Sequence, residues 1–364
     1  MTDIEALRRR IRAIDGEVVR LAAERTRLAR QVGDLKAEQG IPIRNYAVEA
    51  EALRLVAEEA ARSGFPAGPA EEVVKLLIRE SLRAQEKDRI ARTRAREPSD
   101  RKALVVGGAG NMGRWFCEFL DSKGYGVSVA DPRGAPNGYP LVRDVAEAAP
   151  GFDVVLLATP PSAVGPVLKS LTGRCDGLVF EIGSLKSPFL AELKEAAAAG
   201  ACVTSVHPMW GPATDLLASK NVVVCDCGNA EANRQAKALF EDTAANVVEM
   251  PVDDHDAFMA RVLGLPHAVN LVFGRAMAAQ GLPLGRLDHL GGPTFQKQMA
   301  VAREVAHENK DLYHEIQRLN PHTAEMLHVL KRSLQEFEAA LSARDAFRAY
   351  MAEAEAWFDG GNAR

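Results

Sequence analysis

A lone histidine ends a short β-branched run in the stretch VTSVHPMWGPATD, residues 203–215. His207 is followed at once by Pro208, and Trp210 and Pro212 make the next part of the chain bulky and stiff. Histidine suits general-base catalysis because its ordinary pKa, about 6.5, lies near neutral pH. The stretch alone fits a catalytic base and an ordinary loop histidine equally well, so other parts of the chain must distinguish the two.

A glycine-rich turn lies about 100 residues upstream of this histidine. Gly108, Gly110 and Gly113 form the motif G-A-G-N-M-G, with Asn111 and Met112 inside it, between an apolar strand and a helix-like segment. The first glycine allows a tight turn, the second lets backbone N–H groups approach a pyrophosphate, and the third permits close helix–strand packing. The turn therefore predicts a dinucleotide site.

Two further residues at predicted strand ends indicate which dinucleotide is bound. Asp131 ends the second strand, 23 residues after Gly108. A carboxylate there accepts hydrogen bonds from the adenosine ribose and repels a 2′-phosphate, which favours NAD over NADP, although nearby Arg133 softens that preference. Thr159 follows another strand, where a loop would contact the nicotinamide half of the cofactor.

Composition excludes several classes of function. The chain has 364 residues, 47% of them hydrophobic and 26% charged, and a net charge of −4 gives no basic footprint for nucleic acid. The first ten residues, MTDIEALRRR, lack an apolar signal segment, and no unbroken apolar run approaches the ~18 residues of a membrane span. Five cysteines show no C-x-x-C spacing, and no metal site is expected. We expect a cytoplasmic protein that acts on small molecules.

The pattern of the chain changes three times, which predicts a multi-domain protein. The predicted segments are an all-α head, a charged linker, an α/β Rossmann domain with a parallel sheet, and an all-α C-terminal domain that dimerises. Their predicted boundaries are 1–90, 91–101, 102–252 and 253–364.

The first helix carries an apolar seam from Ile4 to Leu35 at alternating three- and four-residue spacings. Such a seam predicts pairing with a second copy, and so a homodimer. Arg25 falls on the seam, and a buried guanidinium is costly unless an anion pairs with it, which indicates an anionic ligand. Lys36 lies eleven residues on, close to the same helix face.

Three other polar residues of the head are less informative on their own. Arg8 lies 17 residues before Arg25, about 25 Å along a helix axis, so one small ligand cannot contact both from a single helix. If Arg8 is functional, it must reach the site of a partner chain. Ser81 and Gln85 form an i, i+4 pair on the third helix, which alone would be taken as solvent-facing.

Residues 4 to about 88 resemble the all-helical chorismate mutase family, through ALRRRIRAID, AERTRLA, VGDLK, PIR and IRESLRAQ. In that family two arginines, one from the partner subunit, hold the two carboxylates of chorismate. A lysine and a glutamine hydrogen-bond the ether oxygen that gains charge in the transition state. The resemblance assigns these roles by position to Arg25, Arg8 of the partner subunit, Lys36 and Gln85, with Ser81 and Glu49 nearby.

The other 270 or so residues resemble prephenate dehydrogenase, through the glycine turn, EIGSLK, HPMWGP and HDAFMARVLGLPHAV. The domain order is that of the bacterial fused chorismate mutase–prephenate dehydrogenases of tyrosine biosynthesis. The resemblance implies that His207 draws the proton from the ring hydroxyl of prephenate as a hydride leaves for NAD+. It also implies that Ser184 orients His207 or the nicotinamide, and that His267 lines the substrate pocket.

Two departures from the family pattern leave the substrate open. Asn45 and Val48 stand where the mutase family often has an arginine and an aspartate around the residues that contact the ring and its hydroxyl. Gln296 aligns with a family arginine that holds a substrate carboxylate, and neighbouring Lys297 is a candidate replacement. One alternative is therefore 4-amino-4-deoxychorismate as the substrate, with 4-aminophenylpyruvate as the final product. A second is a dehydrogenase whose head serves only for dimerisation or regulation.

Overall fold

The protein is analysed as a computed structural model. The structure describes residues 4–39, 46–94, 100–136, 138–214, 217, 220–241 and 243–360. The chain divides into two compact units, and each consists of two stretches of sequence. The first unit contains Met1–Gly183 and Phe189–Val252, and the second contains Ser184–Pro188 and Asp253–Arg364.

The head of the first unit consists of three helices. They are α1 (Ile4–Glu38), α2 (Tyr46–Ser63) and α3 (Ala67–Arg94), and both α1 and α2 pack against α3. Helix α3 continues into the predicted linker, of which residues 95–99 lie outside the described part of the chain. The apolar seam of α1 is between 48% and 65% exposed in the single chain, so it is available for a partner. Its nine residues are Ile4, Leu7, Ile11, Ile14, Val18, Leu21, Leu28, Val32 and Leu35.

A seven-stranded sheet forms the rest of the first unit. The strands are β1 (Lys102–Val106), β2 (Gly126–Ala130), β3 (Val154–Leu157), β4 (Leu178–Glu181), β5 (Val203–Pro208), β6 (Asn221–Asp226) and β7 (Asn246–Pro251), in the order β2-β1-β3-β4-β5-β6-β7. The first five strands are parallel, as predicted. The expectation of a wholly parallel sheet was wrong, because β6 runs antiparallel to β5. Strand β7 was not predicted, since this edge strand has few fully buried residues and a weak sequence signal.

Alternate strand residues point to two cores on opposite faces of the sheet. Helices α4 (Asn111–Ser122) and α8 (Ala230–Glu241) cover one face, where Phe116, Phe180 and Phe240 are fully buried. Helices α6 (Pro161–Leu171) and α7 (Leu190–Ala198) cover the other face, and a one-turn helix, α5 (Val145–Ala148), precedes β3. This double covering fixes the strand ends that carry the candidate cofactor residues.

The second unit is helical. Its elements are α9 (Val252–Met259), α10 (Leu265–Ala279), α11 (Leu284–Leu290), α12 (Pro293–His307), α13 (Lys310–Leu319), α14 (Thr323–Ala340) and α15 (Arg344–Phe358). A π-helical turn joins α9 to α10, and the stretch Val252–Ala279 is long and apolar enough to cross a membrane by length and composition alone. Core helices of soluble proteins meet the same criterion, and Arg261 interrupts the apolar stretch.

Candidate active sites

The glycine turn between β1 and α4 leaves no room for a side chain at Gly107, Gly108 or Gly113. A Cβ on Gly113 would lie 2.2 Å from the Gly107 carbonyl oxygen, and one on Gly108 would lie 2.6 Å from a methyl of Val129. Gly107 was not singled out from the sequence, yet it has a φ of +86° and a Cβ there would lie 2.4 Å from the Ala158 carbonyl oxygen. The backbone can therefore approach a pyrophosphate closely.

The N-terminus of α4 is suited to an anion. Gly110 is its N-cap, and no described side chain accepts a hydrogen bond from the first-turn N–H groups, which begin at Asn111 and Met112. Exposed N–H groups and the helix dipole both favour negative charge at this point. Thr159 follows β3, and its Oγ1 is buried without a hydrogen-bond partner among the described residues. A buried hydroxyl of this kind fits a ligand that completes its hydrogen bonding.

Asp131 is held in place at the end of β2. Its carboxylate accepts a hydrogen bond from the Ala109 N–H at 3.0 Å and lies 3.2 Å from both Nε and Nη2 of Arg133. Burial raises the pKa of Asp131, but the hydrogen bonds from Arg133 and Ala109 outweigh it and hold the pKa below its ordinary value. The residues present therefore fit an adenosine ribose, with a cation directly beside the carboxylate.

We expect Asp131→Asn to lower the preference for NAD over NADP by about tenfold or more. The change removes repulsion of a 2′-phosphate and releases Arg133 to pair with that phosphate. The ratio of kcat/KM values for the two cofactors measures the effect. Asp121→Asn, at an exposed position in the last turn of α4, is the control. An unchanged ratio in Asp131→Asn would show that Asp131 does not read the ribose.

His207 lies in β5, one residue before the strand ends at Pro208, and is only 4% exposed. Ser205 points to the same face of the sheet and donates a short hydrogen bond from Oγ to Glu181. The Glu181 carboxylate also accepts the Gly183 N–H at 2.6 Å. Glu181 is fully buried, so it ties the end of β4 to the strand that carries His207. The sequence analysis assigned no role to Glu181, although an acid that ends an apolar strand was a usable signal.

Ser184 begins the short segment that belongs to the second unit, and this segment is fixed by Asp256 of α9. The Asp256 carboxylate accepts the N–H groups of Lys186 at 2.9 Å and Ser187 at 2.7 Å, and lies 2.7 Å from Nδ1 of His255. Burial alone would raise the pKa of Asp256, but these hydrogen bonds hold it well below its usual range. Burial lowers the pKa of His255 to about 4, so its ring is neutral at pH 7. Asp256 was missed because the two backbone N–H groups that it accepts belong to residues 69 and 70 positions away.

His267 is buried in α10, and its ring stacks on Tyr313 with centroids 4.0 Å apart. Burial lowers the pKa of His267, and its Nδ1 has no hydrogen-bond partner among the described residues. A buried ring nitrogen without a partner fits a substrate hydroxyl or carboxylate.

Gln296, Lys297 and Gln298 of α12 have three different surroundings. Gln296 is exposed, donates to the Asp288 carbonyl oxygen at 2.9 Å, and lines a cavity of about 690 Å³ beside α12. Lys297 is exposed and does not line that cavity. It is Gln298 that reaches α10, where its Nε2 donates to Asn270 at 2.8 Å. The role of Lys297 as a replacement for the family arginine stays a prediction.

A second cavity lies within the head, between α1, α2 and α3. Its volume is about 320 Å³. Arg25 donates from Nη1 to Ser81 Oγ at 2.7 Å and to the Leu77 carbonyl oxygen at 2.9 Å. Gln85 donates from Nε2 to the Ala29 carbonyl oxygen at 2.6 Å, while its Oε1 is buried with no partner among the described residues. The lining residues are Arg25, Leu28, Ala29, Val32, Lys36, Val48, Glu49, Ala52, Ile78, Ser81, Leu82 and Gln85.

This cavity collects two cations and one acid against apolar walls. Burial lowers the pKa of Arg25, and burial lowers the pKa of Lys36 despite the opposing effect of Glu49. A lowered pKa of a cation indicates incomplete solvation, which an anionic ligand would relieve. Arg8 does not line the cavity of its own chain and instead pairs with Glu5 at 3.0 Å. Asn45, named above as a departure, lies outside the described residues.

Gly33 of α1 makes room for the side chain of Gln85. A Cβ on Gly33 would lie 2.7 Å from Gln85 Cγ, so we expect Gly33→Ala to displace that side chain. The expected result is a loss of about tenfold in activity at this cavity, because a catalytic group moved by about 1 Å loses much of its effect. Gly16→Ala on the same helix is the control, since a Cβ there has no neighbour within 4 Å. Equal rates in the two variants would contradict a role for Gln85.

The fold and the two sites define an enzyme that joins a helical, charge-lined cavity to a dinucleotide-dependent dehydrogenase. Three family models match the chain: chorismate mutase type II over residues 7–86, the nucleotide-binding domain of prephenate dehydrogenase over 138–249, and the prephenate dehydrogenase dimerisation domain over 251–353. The chain belongs to the family of fused chorismate mutase–prephenate dehydrogenases. The glycine turn precedes the second match, so it is assigned from its own geometry.

Similar proteins cover most of the chain. The T-protein of Enterobacter agglomerans is 29% identical over 98% of this chain and 94% of its own length. The 4-amino-4-deoxyprephenate dehydrogenase of Streptomyces pristinaespiralis is 29% identical over 69% of this chain and 89% of its own. Among solved structures, prephenate dehydrogenase of A. aeolicus is similar in fold, with a TM-score of 0.58, 20% identity, and coverage of 72% of this chain and 99% of that one.

Proposed function

We propose that the head converts chorismate to prephenate in the cavity between its three helices, and that the remainder of the chain oxidises prephenate with NAD+ to 4-hydroxyphenylpyruvate. The observation that carries the first half is the arrangement of Arg25, Lys36 and Gln85 around one small apolar cavity. The observation that carries the second half is the glycine turn with Asp131, at the same edge of the parallel sheet as His207.

The rearrangement needs no nucleophile. It needs a compact substrate conformer and positive charge beside the oxygen that becomes negative as the ether bond breaks. Arg25, held by Ser81 and the Leu77 carbonyl, binds one carboxylate. Lys36 and Gln85 donate to the ether oxygen. The second carboxylate is bound by Arg8 of a second copy, because Arg8 cannot reach the cavity of its own chain.

The dehydrogenation requires a base at the ring oxygen. His207 accepts the proton of the ring hydroxyl, so that the oxygen's electrons can form a C=O bond as the hydride leaves the same carbon. Bound NAD+ supplies the acceptor for the hydride from the ring carbon. Loss of CO2 then gives the aromatic ring of the product. Ser184 orients the reacting groups, and His267 binds the substrate through the ring nitrogen that has no partner among the described residues.

The active protein is proposed to be a homodimer in the cytoplasm. The exposed apolar seam of α1 and the dimerisation-domain match over residues 251–353 both support a second copy. The dimer also completes the mutase site, because only a second chain can deliver Arg8. This makes oligomeric state and mutase activity inseparable.

A second candidate is the same pair of reactions on the 4-amino analogues. The observation in its favour is that apolar Val48 and acidic Glu49 both line the cavity, where Val48 departs from the family pattern. A ring ammonium group would pair with Glu49 and would be repelled by an arginine. The similar protein of Streptomyces pristinaespiralis is named as a dehydrogenase of 4-amino-4-deoxyprephenate.

One comparison separates the two candidates. The purified protein is given NAD+ and either prephenate or 4-amino-4-deoxyprephenate, and NADH formation is followed. The proposed function predicts a higher kcat/KM for prephenate. Rapid turnover of the amino compound with little turnover of prephenate would replace it with the second candidate, and turnover of neither would defeat both.

A further inference from the structure

A buried carboxylate of the head contacts the dehydrogenase part of the first unit. Glu86 of α3 is 4% exposed, and its Oε2 accepts the backbone N–H of Leu217 at 2.8 Å. Leu217 belongs to the connection that follows β5, ten residues after His207. Gln85, the preceding residue, faces α1 and the mutase cavity, so adjacent residues of one helix serve two different parts of the protein.

The connection after β5 is anchored at further points among its described residues. The Leu217 side chain is 2% exposed and lies in the same core cluster as Trp210. The Thr214 carbonyl oxygen accepts a hydrogen bond from Trp115 Nε1 at 2.6 Å. Glu86 is the one anchor in this set that comes from the head. Without it, the Leu217 N–H would be buried with no acceptor, which costs free energy.

The charge of Glu86 also has cations nearby. Lys123 follows the C-terminal end of α4, and it interacts electrostatically with Glu86 and Arg89. Burial lowers the pKa of Lys123 to about 7, with Arg89 adding to the decrease and Glu86 opposing it. Apolar contact between Leu82 and Ala244 lies on the same side of α3. The contact between α3 and the sheet domain therefore combines a buried apolar pair with the buried hydrogen bond of Glu86.

We propose that Glu86 is a positioning residue of the dehydrogenase. It holds Leu217, and through it the connection that begins with Trp210 and Pro212, against the site of His207. The proposal rests on the proposed function, because it assumes that this connection borders the prephenate site. It gives the head a part in dehydrogenation that is separate from its own reaction.

Kinetics of Glu86 variants in the full-length protein test this proposal. We expect Glu86→Ala to raise the KM for prephenate about tenfold or more, with the KM for NAD+ and the mutase rate unchanged. Glu86→Gln keeps an oxygen acceptor and should stay within about threefold of the unmodified protein. Tryptophan fluorescence should shift in the alanine variant alone, because Trp115 and Trp210 lie at the same connection. Glu80→Ala, at an exposed position on α3, is the control.

Two results would overturn the proposal. One is an unchanged prephenate KM in Glu86→Ala, and the other is equal damage in the alanine and glutamine variants. If Glu86→Ala does not fold, Glu86→Asp replaces it in the test, because the shorter side chain keeps the charge but moves the acceptor oxygen away from the Leu217 N–H. An unchanged prephenate KM in Glu86→Asp would then overturn the proposal. Inactivity of the unmodified protein on prephenate and on its amino analogue would instead defeat the proposed function.

Discussion

Replacing His207 with asparagine is expected to lower the dehydrogenase kcat by about 10²- to 10⁴-fold. Asparagine is close in size and keeps a polar side chain in β5, but it cannot take up a proton near neutral pH. Because His207 is only 4% exposed, water cannot readily replace it as the base. The measurement is the steady-state rate of NADH formation from saturating prephenate.

The controls for this variant are binding of NADH and the mutase rate, and both should be unchanged. The glycine turn and Asp131 do not depend on the imidazole, and the head has its own cavity. A variant with normal kcat would remove His207 from the mechanism. A variant that had lost NADH binding would show that the substitution disturbed the sheet rather than the chemistry.

Replacing Arg25 with alanine is expected to lower the mutase kcat/KM by about 10²- to 10³-fold, the usual effect of removing one preorganised donor from a site that stabilises developing charge. Arg25 is held in the cavity by two hydrogen bonds, to Ser81 and to the Leu77 carbonyl. The loss of chorismate absorbance measures the rate.

Arg27→Ala is a matched control for the Arg25 variant. Arg27 lies on the same helix but is 61% exposed at its side chain, and it pairs with Glu24 at 3.8 Å. Its removal should change neither activity. An unchanged mutase rate in Arg25→Ala would favour the alternative in which the head serves only for dimerisation, since dehydrogenation would then be the sole reaction.

Local sequence patterns pointed to many of the candidate site residues. The glycine turn was predicted apart from Gly107, because steric limits at Gly108 and Gly113 leave few substitutes for glycine. Arg25 was found because a cation on an apolar seam is costly without an anion. His207 could only be judged together with the turn, since an imidazole at a strand end has no unique meaning. The residue roles themselves remain predictions until variants are measured.

Other features depend on contacts between distant parts of the chain. The antiparallel direction of β6 is not encoded in its own residues, which read like those of any buried strand. The hydrogen bond from Gln298 to Asn270 of α10 joins residues 28 positions apart, and no local pattern predicts it. Glu181 and Asp256 accept hydrogen bonds from residues distant in the sequence, which local patterns do not predict.

The division of the chain has a consequence for any attempt to take the protein apart. Because Ser184–Pro188 groups with Asp253–Arg364, the backbone passes between the two units three times: after Gly183, after Pro188 and after Val252. A single cut therefore cannot release two complete halves. A fragment that ends near Val252 would still carry Ser184 but would lack Asp256, the residue that holds its turn. Gene fission or limited proteolysis at that boundary should thus yield pieces that recover dehydrogenase activity only when they are mixed.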